Sequence, residues 1–132
     1  MSMSDPISDL MTRIRNALRQ RHAEVRVPAS NFKKNVLDLM RDEGYILDCR
    51  LEGAGPKKDL VVSLKYHGEN EPVIQGLKRV SKPGRRLYFT SAAIPKVMSG
   101  YGIMVLSTSH GLMSDREARR RNLGGEAVLS IW

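Results

Sequence analysis

The chain has one cysteine, two phenylalanines and one tryptophan in 132 residues, and each scarcity excludes something. Cys49 has no second cysteine to pair with, so an intramolecular disulfide and a disulfide-stabilised secreted scaffold are excluded. With so few large aromatic rings, any core must be largely aliphatic. No apolar stretch approaches the roughly 20 residues that a membrane-spanning helix needs. No basic segment followed by an apolar run opens the sequence, so we expect no signal peptide, no membrane partner and a cytoplasmic protein.

Motifs for metals and cofactors are also missing. The three histidines, His22, His67 and His110, are far apart in the sequence, and no Cys-x-x-Cys or His-x-x-x-His pair occurs. Gly100 and Gly102 lack the third glycine of a dinucleotide-binding loop, and no Walker loop is present. We therefore predict no metal site and no cofactor.

One set of residues has the composition of a hydrolase triad. Ser109, His110 and Asp115 are the residue types of that triad, but adjacent residues in a tight turn do not normally aim a hydroxyl at the neighbouring imidazole. A small hydrolase stays as an alternative hypothesis, and the prediction is that the chain is not an enzyme.

Acidic residues are scarce in one half of the chain only. Residues 1–72 hold 12 basic and 11 acidic side chains, a net charge of +1. Residues 73–132 hold 10 basic and 3 acidic side chains, a net charge of +7. Such a block attracts polyanions over a long range and releases their counterions on contact. The alternative is a solvated basic surface that only confers solubility.

The first half predicts the element order α-β-α-β-β. Apolar residues at helical spacing follow a cap at Ser4 or Asp5, and a second helix runs from Ser30 to a stop at Gly44. We expect strands at 23–27, 45–52 and 60–66, with a hairpin loop at 53–59.

The second half predicts short strands and one helix. We expect strands at residues 73–80, 86–89, 103–108 and 127–132. Lys82-Pro-Gly84 fits a type II turn, and Ser114 with Glu117 forms a capping box for a helix that Gly124-Gly125 ends. The fold class is therefore α+β. We expect a small N-terminal α/β domain (residues 1–70) to pack against a mainly β C-terminal domain (residues 71–132) with one short helix.

The best candidate binding element is the turn from Ser107 to Gly111, which we expect to join a strand to the capped helix. Ser107, Thr108 and Ser109 offer three adjacent hydroxyls for phosphate, ribose or base edges, and Gly111 permits close backbone approach. The helix start would add N–H groups nearby. The same hydroxyls could instead only cap turns and helix ends, and the segment alone does not decide between these readings.

Two basic clusters flank that segment and favour nucleic acid. Lys78, Arg79, Lys82, Arg85 and Arg86 surround one turn, where Tyr88 can stack on a base. The second cluster is formed by Arg116, Arg119, Arg120 and Arg121. Because consecutive helical residues point in different directions, part of this second cluster could be a solvated helix face.

Four motifs in order carry a family resemblance over the whole chain. They are Asp5-Pro-Ile-x-Asp-Leu-Met-Thr-Arg-Ile-Arg-Asn-Ala17, Val27-Pro-Ala-Ser-x-Phe-Lys33, Ser81-Lys-Pro-Gly-Arg-Arg-Leu-Tyr88, and Ile103-x-x-Leu-Ser-Thr-Ser-x-Gly-x-Met-Ser-Asp-Arg-Glu-Ala-Arg119 with Gly124-Gly-Glu126 and Trp132. The sequence resembles the family of bacterial small-subunit ribosomal protein number eight.

The resemblance implies a function and a set of contacts. It implies a structural constituent of the small ribosomal subunit, a primary rRNA-binding protein that binds the central domain of 16S rRNA and helps to assemble the 30S platform. Other implied partners are ribosomal proteins five and twelve and the protein's own messenger RNA. The implied RNA-binding residues are Ser107, Thr108, Ser109, Gly111, Lys82, Gly84, Arg86, Tyr88, Arg116 and Glu126, with Arg13, Asn16, Ser30 and Lys33 as a second contact.

One position departs from the family pattern. The family usually has Lys after Ser-Thr-Ser, whereas this chain has His110. An unperturbed histidine is mostly uncharged near neutral pH, so a phosphate contact there would be weaker. A DNA-binding or regulatory module is the other alternative, because charge alone would serve it equally well, but no helix-turn-helix or basic zipper is recognisable.

Overall fold

A computed structural model describes residues 5–132 and divides them into two compact units. One unit comprises residues 6–75, and the other comprises Asp5 with residues 76–132. Ser4, one of the two predicted caps of the first helix, lies outside the described residues.

Residues 6–75 contain two helices and a three-stranded antiparallel sheet of order β1-β3-β2. The elements are α1 (Pro6–Arg19), β1 (Glu24–Pro28), α2 (Asn31–Asp42), β2 (Ile46–Ala54), β3 (Lys57–Leu64) and the two-residue strands β4 (Tyr66–His67) and β5 (Glu71–Pro72). The predicted order α-β-α-β-β is confirmed for the main elements.

Local signals account for both helices of this unit. The apolar positions of α1 that recur at helical spacing, from Ile7 to Leu18, are all buried. Ser30 caps α2, since its hydroxyl accepts a hydrogen bond from the Lys33 N–H at 3.2 Å. Gly44 follows α2 in the left-handed conformation (φ 84°), as predicted.

The hairpin loop between β2 and β3 is shorter than predicted. The strands run on to Ala54 and Lys57, and Gly53 pairs with Lys58. A Cβ at Gly53 would lie 2.8 Å from the Lys57 carbonyl oxygen. The glycine therefore permits a close strand approach there, although in the sequence it is typical of a loop.

Residues 76–132 form a mainly β unit with one short helix, which confirms the predicted fold class. The elements are β6 (Leu77–Arg79), β7 (Tyr88–Phe89), β8 (Ile103–Thr108), β9 (Gly111–Ser114), α3 (Asp115–Arg120) and β10 (Gly125–Ile131). The antiparallel sheet has the order β6-β10-β8-β9, and β7 also pairs with β10. One face of the sheet packs with α3 around Met104, Leu106, Met113, Ala118 and Ala127.

Two predicted strands are much shorter than expected. The segment 73–80 contributes only β6, because the Val73 N–H is used by the Lys65 carbonyl instead of a partner in the second sheet. The segment 86–89 contributes only Tyr88 and Phe89. In both places the alternation of apolar residues continues past the ladder, because turns and loops also bury apolar side chains.

The end of α3 corrects another prediction. The helix ends at Arg120, and Asn122, not the glycine pair, has the left-handed conformation (φ 56°). A Cβ at Gly124 would lie 2.5 Å from the Phe89 carbonyl oxygen, and one at Gly125 would lie 2.3 Å from that of Ser107. The two glycines are needed where β10 passes between neighbouring strands.

Candidate nucleic-acid interface

A row of three side chains crosses one face of the second sheet. Glu126 on β10 lies opposite Ser107 on β8 and opposite Tyr88 on β7. Directly opposed residues of antiparallel strands project to the same face. A hydroxyl, a carboxylate and an aromatic ring thus stand side by side, and 69% of Tyr88 is exposed.

The carboxylate in that row has a cationic neighbour. An Arg86 guanidinium nitrogen lies 3.0 Å from a Glu126 carboxylate oxygen. The hydrogen bond to Glu126 raises the pKa of the exposed Arg86 above its usual value. Arg86 therefore holds and partly neutralises Glu126, which makes a carboxylate compatible with a polyanion nearby.

The segment from Ser107 to Gly111 is the turn of a hairpin, and the second strand of that hairpin, which was not predicted from the sequence, separates the turn from the capped helix. β8 ends at Thr108 and β9 begins at Gly111, so Ser109 and His110 form the loop. β9 was missed because its run of Gly, Leu, Met and Ser has no clear alternation of polar and apolar residues. It places roughly 13 Å of extended chain between the turn and α3, so the helix start is not beside the turn.

The three hydroxyls of the turn have different partners. Thr108 Oγ1 donates to the Gly111 carbonyl oxygen at 2.8 Å and accepts from the His110 N–H at 3.1 Å. Ser109 Oγ contacts only His110 Nδ1, at 3.2 Å, and Ser107 Oγ has no hydrogen bond within residues 5–132. Thr108 therefore closes the turn, whereas Ser107 and Ser109 retain capacity for a ligand.

The side chains of Ser109 and His110 are in contact, but they do not form a catalytic triad with Asp115. The two adjacent side chains do meet at 3.2 Å, contrary to expectation. Asp115, the third residue type, is buried elsewhere, where its carboxylate accepts from the Met104 N–H at 3.1 Å and pairs with Arg119 at 2.8 Å. Among residues 5–132 no carboxylate orients the imidazole, so this geometry does not support a hydrolase.

The turn at Lys82–Arg85 is present but is not of the predicted type. Lys82 and Arg85 exchange backbone hydrogen bonds, which closes the turn, while Gly84 is not among the residues with positive φ. A type II turn requires positive φ at that position, so the type was wrong. The loop is anchored by Ser81, which is fully buried and whose hydroxyl accepts from the Leu87 N–H at 2.7 Å. Sequence reasoning missed Ser81 as an anchor, because its partner is six residues away.

The arginines of α3 are mostly used inside the protein. Arg116 donates to the Gly100 carbonyl oxygen, and Arg119 binds Asp115 and the carbonyl oxygens before the loop at 97–100. Arg120 and Arg121 both pair with Glu117, and these bonds lower the pKa of the Glu117 carboxyl below its usual range. The run that looked like a second polyanion-binding cluster is thus largely compensated.

The remaining candidates lie in residues 6–75. Arg13 on α1 pairs with Asp9 at 2.9 Å and is exposed, as is Asn16 one turn later. Ser30 is exposed while capping α2. Lys33 is buried, and its Nζ donates to the Pro28 carbonyl oxygen at 2.8 Å, so its ammonium is occupied.

Residues 5–132 contain no group of three or more potential ligands that could hold a metal ion. In the same part of the chain, no helix is long and apolar enough to cross a membrane.

Comparison with known proteins identifies the family. The model of the family described as Ribosomal protein S8 matches residues 5–132. Proteins called small ribosomal subunit protein uS8 are similar over the full length. That of Sorangium cellulosum (strain So ce56) is 52% identical over 131 residues, covering 98% of this chain and 99% of its own. Those of Anaeromyxobacter sp. (strain Fw109-5) and Staphylococcus carnosus (strain TM300) are 49% and 47% identical and match over 100% of both chains.

These matches also bear on enzymatic activity. Proteins of this family are structural and not enzymes, so the prediction that the chain is not an enzyme is confirmed. The resemblance inferred from the four motifs is confirmed as well. Because the family model spans nearly the whole chain and close relatives match it end to end, the chain belongs to the Ribosomal protein S8 family.

Proposed function

We propose that this small-subunit ribosomal protein is a primary binder of the central domain of 16S rRNA and helps to assemble the 30S platform. The observation that carries the proposal is the row Ser107–Glu126–Tyr88, with the hairpin turn at the end of β8. Specific RNA recognition uses hydrogen bonds to base edges and ribose and stacking on aromatic rings. The row offers one group of each kind on one sheet face.

Each member of the row has a distinct role in this proposal. Ser107, whose hydroxyl has no hydrogen bond within residues 5–132, donates to or accepts from ribose and base edges. Tyr88 stacks on an unpaired base. Glu126, held by Arg86, accepts from exocyclic amino groups, which only certain bases carry.

The turn and loop next to the row supply further contacts. Ser109 and the Gly111 backbone lie in the hairpin turn, and Thr108 keeps that turn in shape. Lys82 and Arg85 are exposed and have no ion pair within residues 5–132, so they are free to neutralise phosphates, with Gly84 between them. Arg116 binds the Gly100 carbonyl oxygen and is a weaker candidate.

The second contact is proposed for residues 6–75. Arg13, Asn16 and Ser30 are exposed polar residues that can contact the RNA backbone. Lys33 is removed from direct contact, since its ammonium already binds the Pro28 carbonyl oxygen. Its role is to hold the start of α2, and hence Ser30, in place. Ribosomal proteins five and twelve as neighbours, and a messenger RNA that imitates the rRNA site, belong to the same proposal.

The test is a binding titration of the full chain with a central-domain rRNA fragment and with an unrelated duplex of equal length. We expect the fragment to bind at least about 10³-fold more tightly, as specific nucleic-acid complexes do. Tyr88→Ala should weaken fragment binding by about tenfold or more, since stacking on one base contributes about 1–3 kcal/mol. Tyr101→Ala, also an exposed tyrosine of this unit, is the matched control and should bind normally. Equal affinity for the two RNAs would overturn the proposal.

Phosphate contacts are separated from base contacts by their salt dependence. Lys82→Gln should reduce the slope of log affinity against log salt by about one unit for both RNAs. Arg120→Gln should change the slope less, because Arg120 is paired with Glu117 in the free protein. A larger effect of Arg120 would show that α3, and not the Lys82 turn, faces the phosphates.

A further inference from the structure

A cleft of about 520 Å³ opens in the second unit, and of the residues proposed for RNA only Lys82 and Arg85 line it. One wall is the strand and turn from Lys78 to Arg85, and the other is the loop from Pro95 to Met98. Between them lie Phe89, Met104 and Trp132. The cleft is within the size range of protein sites that bind small ligands or anchoring side chains.

The rim of the cleft carries basic side chains that have no anionic partner within the described chain. Of the ten basic residues in 76–132, six bind a carboxylate or a backbone oxygen through their side chains. The four that have no such partner within the described chain all line this one cleft, and they are Lys78, Lys82, Arg85 and Lys96. No aspartate or glutamate is among its lining residues. Because like charges gathered on one surface repel one another, this arrangement favours an anionic occupant.

The loop wall is held in a strained conformation. Met98 and Ser99 are consecutive residues with positive φ (49° and 55°). This left-handed backbone conformation is unfavourable for most residues other than Gly and Asn. Arg116 binds the Gly100 carbonyl oxygen and Arg119 binds that of Pro95, so α3 clamps both ends of the loop. Met98 remains 52% exposed. Local strain that keeps an apolar side chain at a cleft is typical of a binding site.

Strand parity places the cleft on the sheet face opposite the row Ser107–Glu126–Tyr88. On β8, Met104 lines the cleft and is an odd number of residues from Ser107. On β7, Phe89 lines the cleft and is adjacent to Tyr88. Successive strand residues project to opposite faces, so the two sites are back to back across the sheet.

We propose that this cleft binds an acidic segment of another protein, with an apolar side chain between the walls and carboxylates on the four rim cations. The aliphatic and thioether lining fits apolar peptide side chains, and methionine adapts to them readily. Charge complementarity with the rim supplies orientation and association rate.

RNA is less well matched to the same cleft. Stacking of a base needs an exposed ring face, and neither exposed tyrosine of this unit, Tyr88 or Tyr101, lines the cleft. Phe89 and Trp132 do line it, but they pack against the hydrophobic cluster around Leu106. The lining thus offers apolar contact without a free stacking platform.

The test measures binding of a fluorescent synthetic peptide of alternating glutamate and leucine to the full chain. Peptides of alternating lysine and leucine, and of glutamate and serine, are the controls for charge and for apolar contact. The double variant Lys78→Gln/Lys96→Gln should weaken the Glu–Leu peptide by about tenfold. Arg120→Gln/Arg121→Gln changes the net charge equally at two residues that do not line the cleft, and it should change binding less than about twofold.

A second variant tests the apolar contact between the cleft and the peptide without destabilising the protein. Met98→Asn suits a left-handed backbone and should leave Tm unchanged or raise it, while weakening the Glu–Leu peptide several-fold. Absence of peptide binding, or equal loss in the two double variants, would overturn the proposal.

Single-stranded oligouridylate is the competing probe. The oligonucleotide could displace the peptide, bind more tightly than the peptide does, and lose affinity to the same extent in the Lys78→Gln/Lys96→Gln variant. In that case the cleft is an RNA site and the proposal is wrong. Lys82 and Arg85 belong to both proposals, but Tyr88 is on the other sheet face, and Lys78 and Lys96 are not among the proposed RNA contacts. The Tyr88 variant and the Lys78/Lys96 variant therefore let either proposal fail while the other stands.

Discussion

Glu126 lies directly opposite Ser107 in the ladder between β8 and β10, so a carboxylate and a hydroxyl without a protein partner among residues 5–132 share one sheet face. The row is completed by Tyr88 on β7. A carboxylate at the centre of an RNA-binding surface repels phosphate. It favours binding only where it accepts hydrogen bonds from the amino groups of bases. The effect of Glu126 on the choice of RNA can therefore be tested separately from the effect of the net positive charge on affinity.

Glu126→Gln should weaken binding of the central-domain fragment several-fold and strengthen binding of an unrelated duplex. The first effect follows from loss of a charged acceptor, and the second from one more net positive charge. Glu117→Gln has the same charge change but lies on α3, so it should strengthen binding of both RNAs. The measurement is a pair of titrations at one salt concentration, and parallel behaviour of the two variants would contradict a reading role for Glu126.

Thr108→Ala should destabilise the second unit by about 1 kcal/mol, because its hydroxyl makes two hydrogen bonds that close the hairpin turn. Ser109→Ala should change stability by less than about 0.5 kcal/mol, since its hydroxyl contacts only an exposed histidine. Urea unfolding measures both. If the two losses are equal, Thr108 is not the residue that closes the turn.

Asp115→Ala should be among the most destabilising single changes, at about 3 kcal/mol. The carboxylate is buried, accepts from the Met104 N–H and pairs with Arg119, so its removal leaves the Met104 N–H without this acceptor and Arg119 without its anionic partner. Glu117→Ala removes a partly exposed ion-pair partner on the same helix and should be much less destabilising than Asp115→Ala. The Tm values of the two variants, measured by thermal unfolding under the same conditions, distinguish a buried ion pair from a surface ion pair.

Gly125→Ala should destabilise by about 1–3 kcal/mol, because a Cβ there would lie 2.3 Å from the Ser107 carbonyl oxygen. Gly100→Ala is the control, because it has space for a Cβ and only a positive φ (98°), which costs about 1 kcal/mol. Gly125→Ala should also weaken rRNA binding, since the strand carrying Ser107 must shift. Unaltered RNA binding in a folded Gly125→Ala protein would show that Ser107 is not held by this contact.

The ion pairs of Glu52 predict a pH dependence. Hydrogen bonds from Arg50 and Arg26 lower the pKa of the Glu52 carboxyl below its usual 4.5. A lowered pKa in the folded state contributes stability above the unfolded value, and this contribution is lost as the pH falls through the folded pKa. The Tm of Glu52→Gln should therefore lie below that of the unaltered chain at neutral pH, with the difference vanishing in acid.

The control for this pH series is Glu69→Gln. Glu69 is exposed in a turn and has no ion pair within residues 5–132. Its substitution should leave Tm unchanged at every pH. A difference for Glu52→Gln that persists in acid would show that the effect is not electrostatic.

Much of the local structure follows from short-range chemistry in the sequence. The apolar spacing of α1, the Ser30 cap of α2 and the Gly44 stop each depend on residues within one or two helical turns. The charge excess of residues 73–132 and the four ordered motifs are likewise properties of the sequence. These features determined the fold class and the family.

The tertiary structure decided which of these residues are available to a ligand. Arg120 and Lys96 are equivalent in the sequence as basic residues, yet Arg120 is paired with Glu117, whereas Lys96 lines the cleft and has no ion pair within residues 5–132. Strand register, which is set by contacts between distant segments, brought Ser107, Glu126 and Tyr88 into one row. Helix signals are local because backbone hydrogen bonds span four residues. Sheet neighbours and ion pairs join any two segments that the fold brings together, so the sequence determined the elements and the charge, and the packing determined the surfaces.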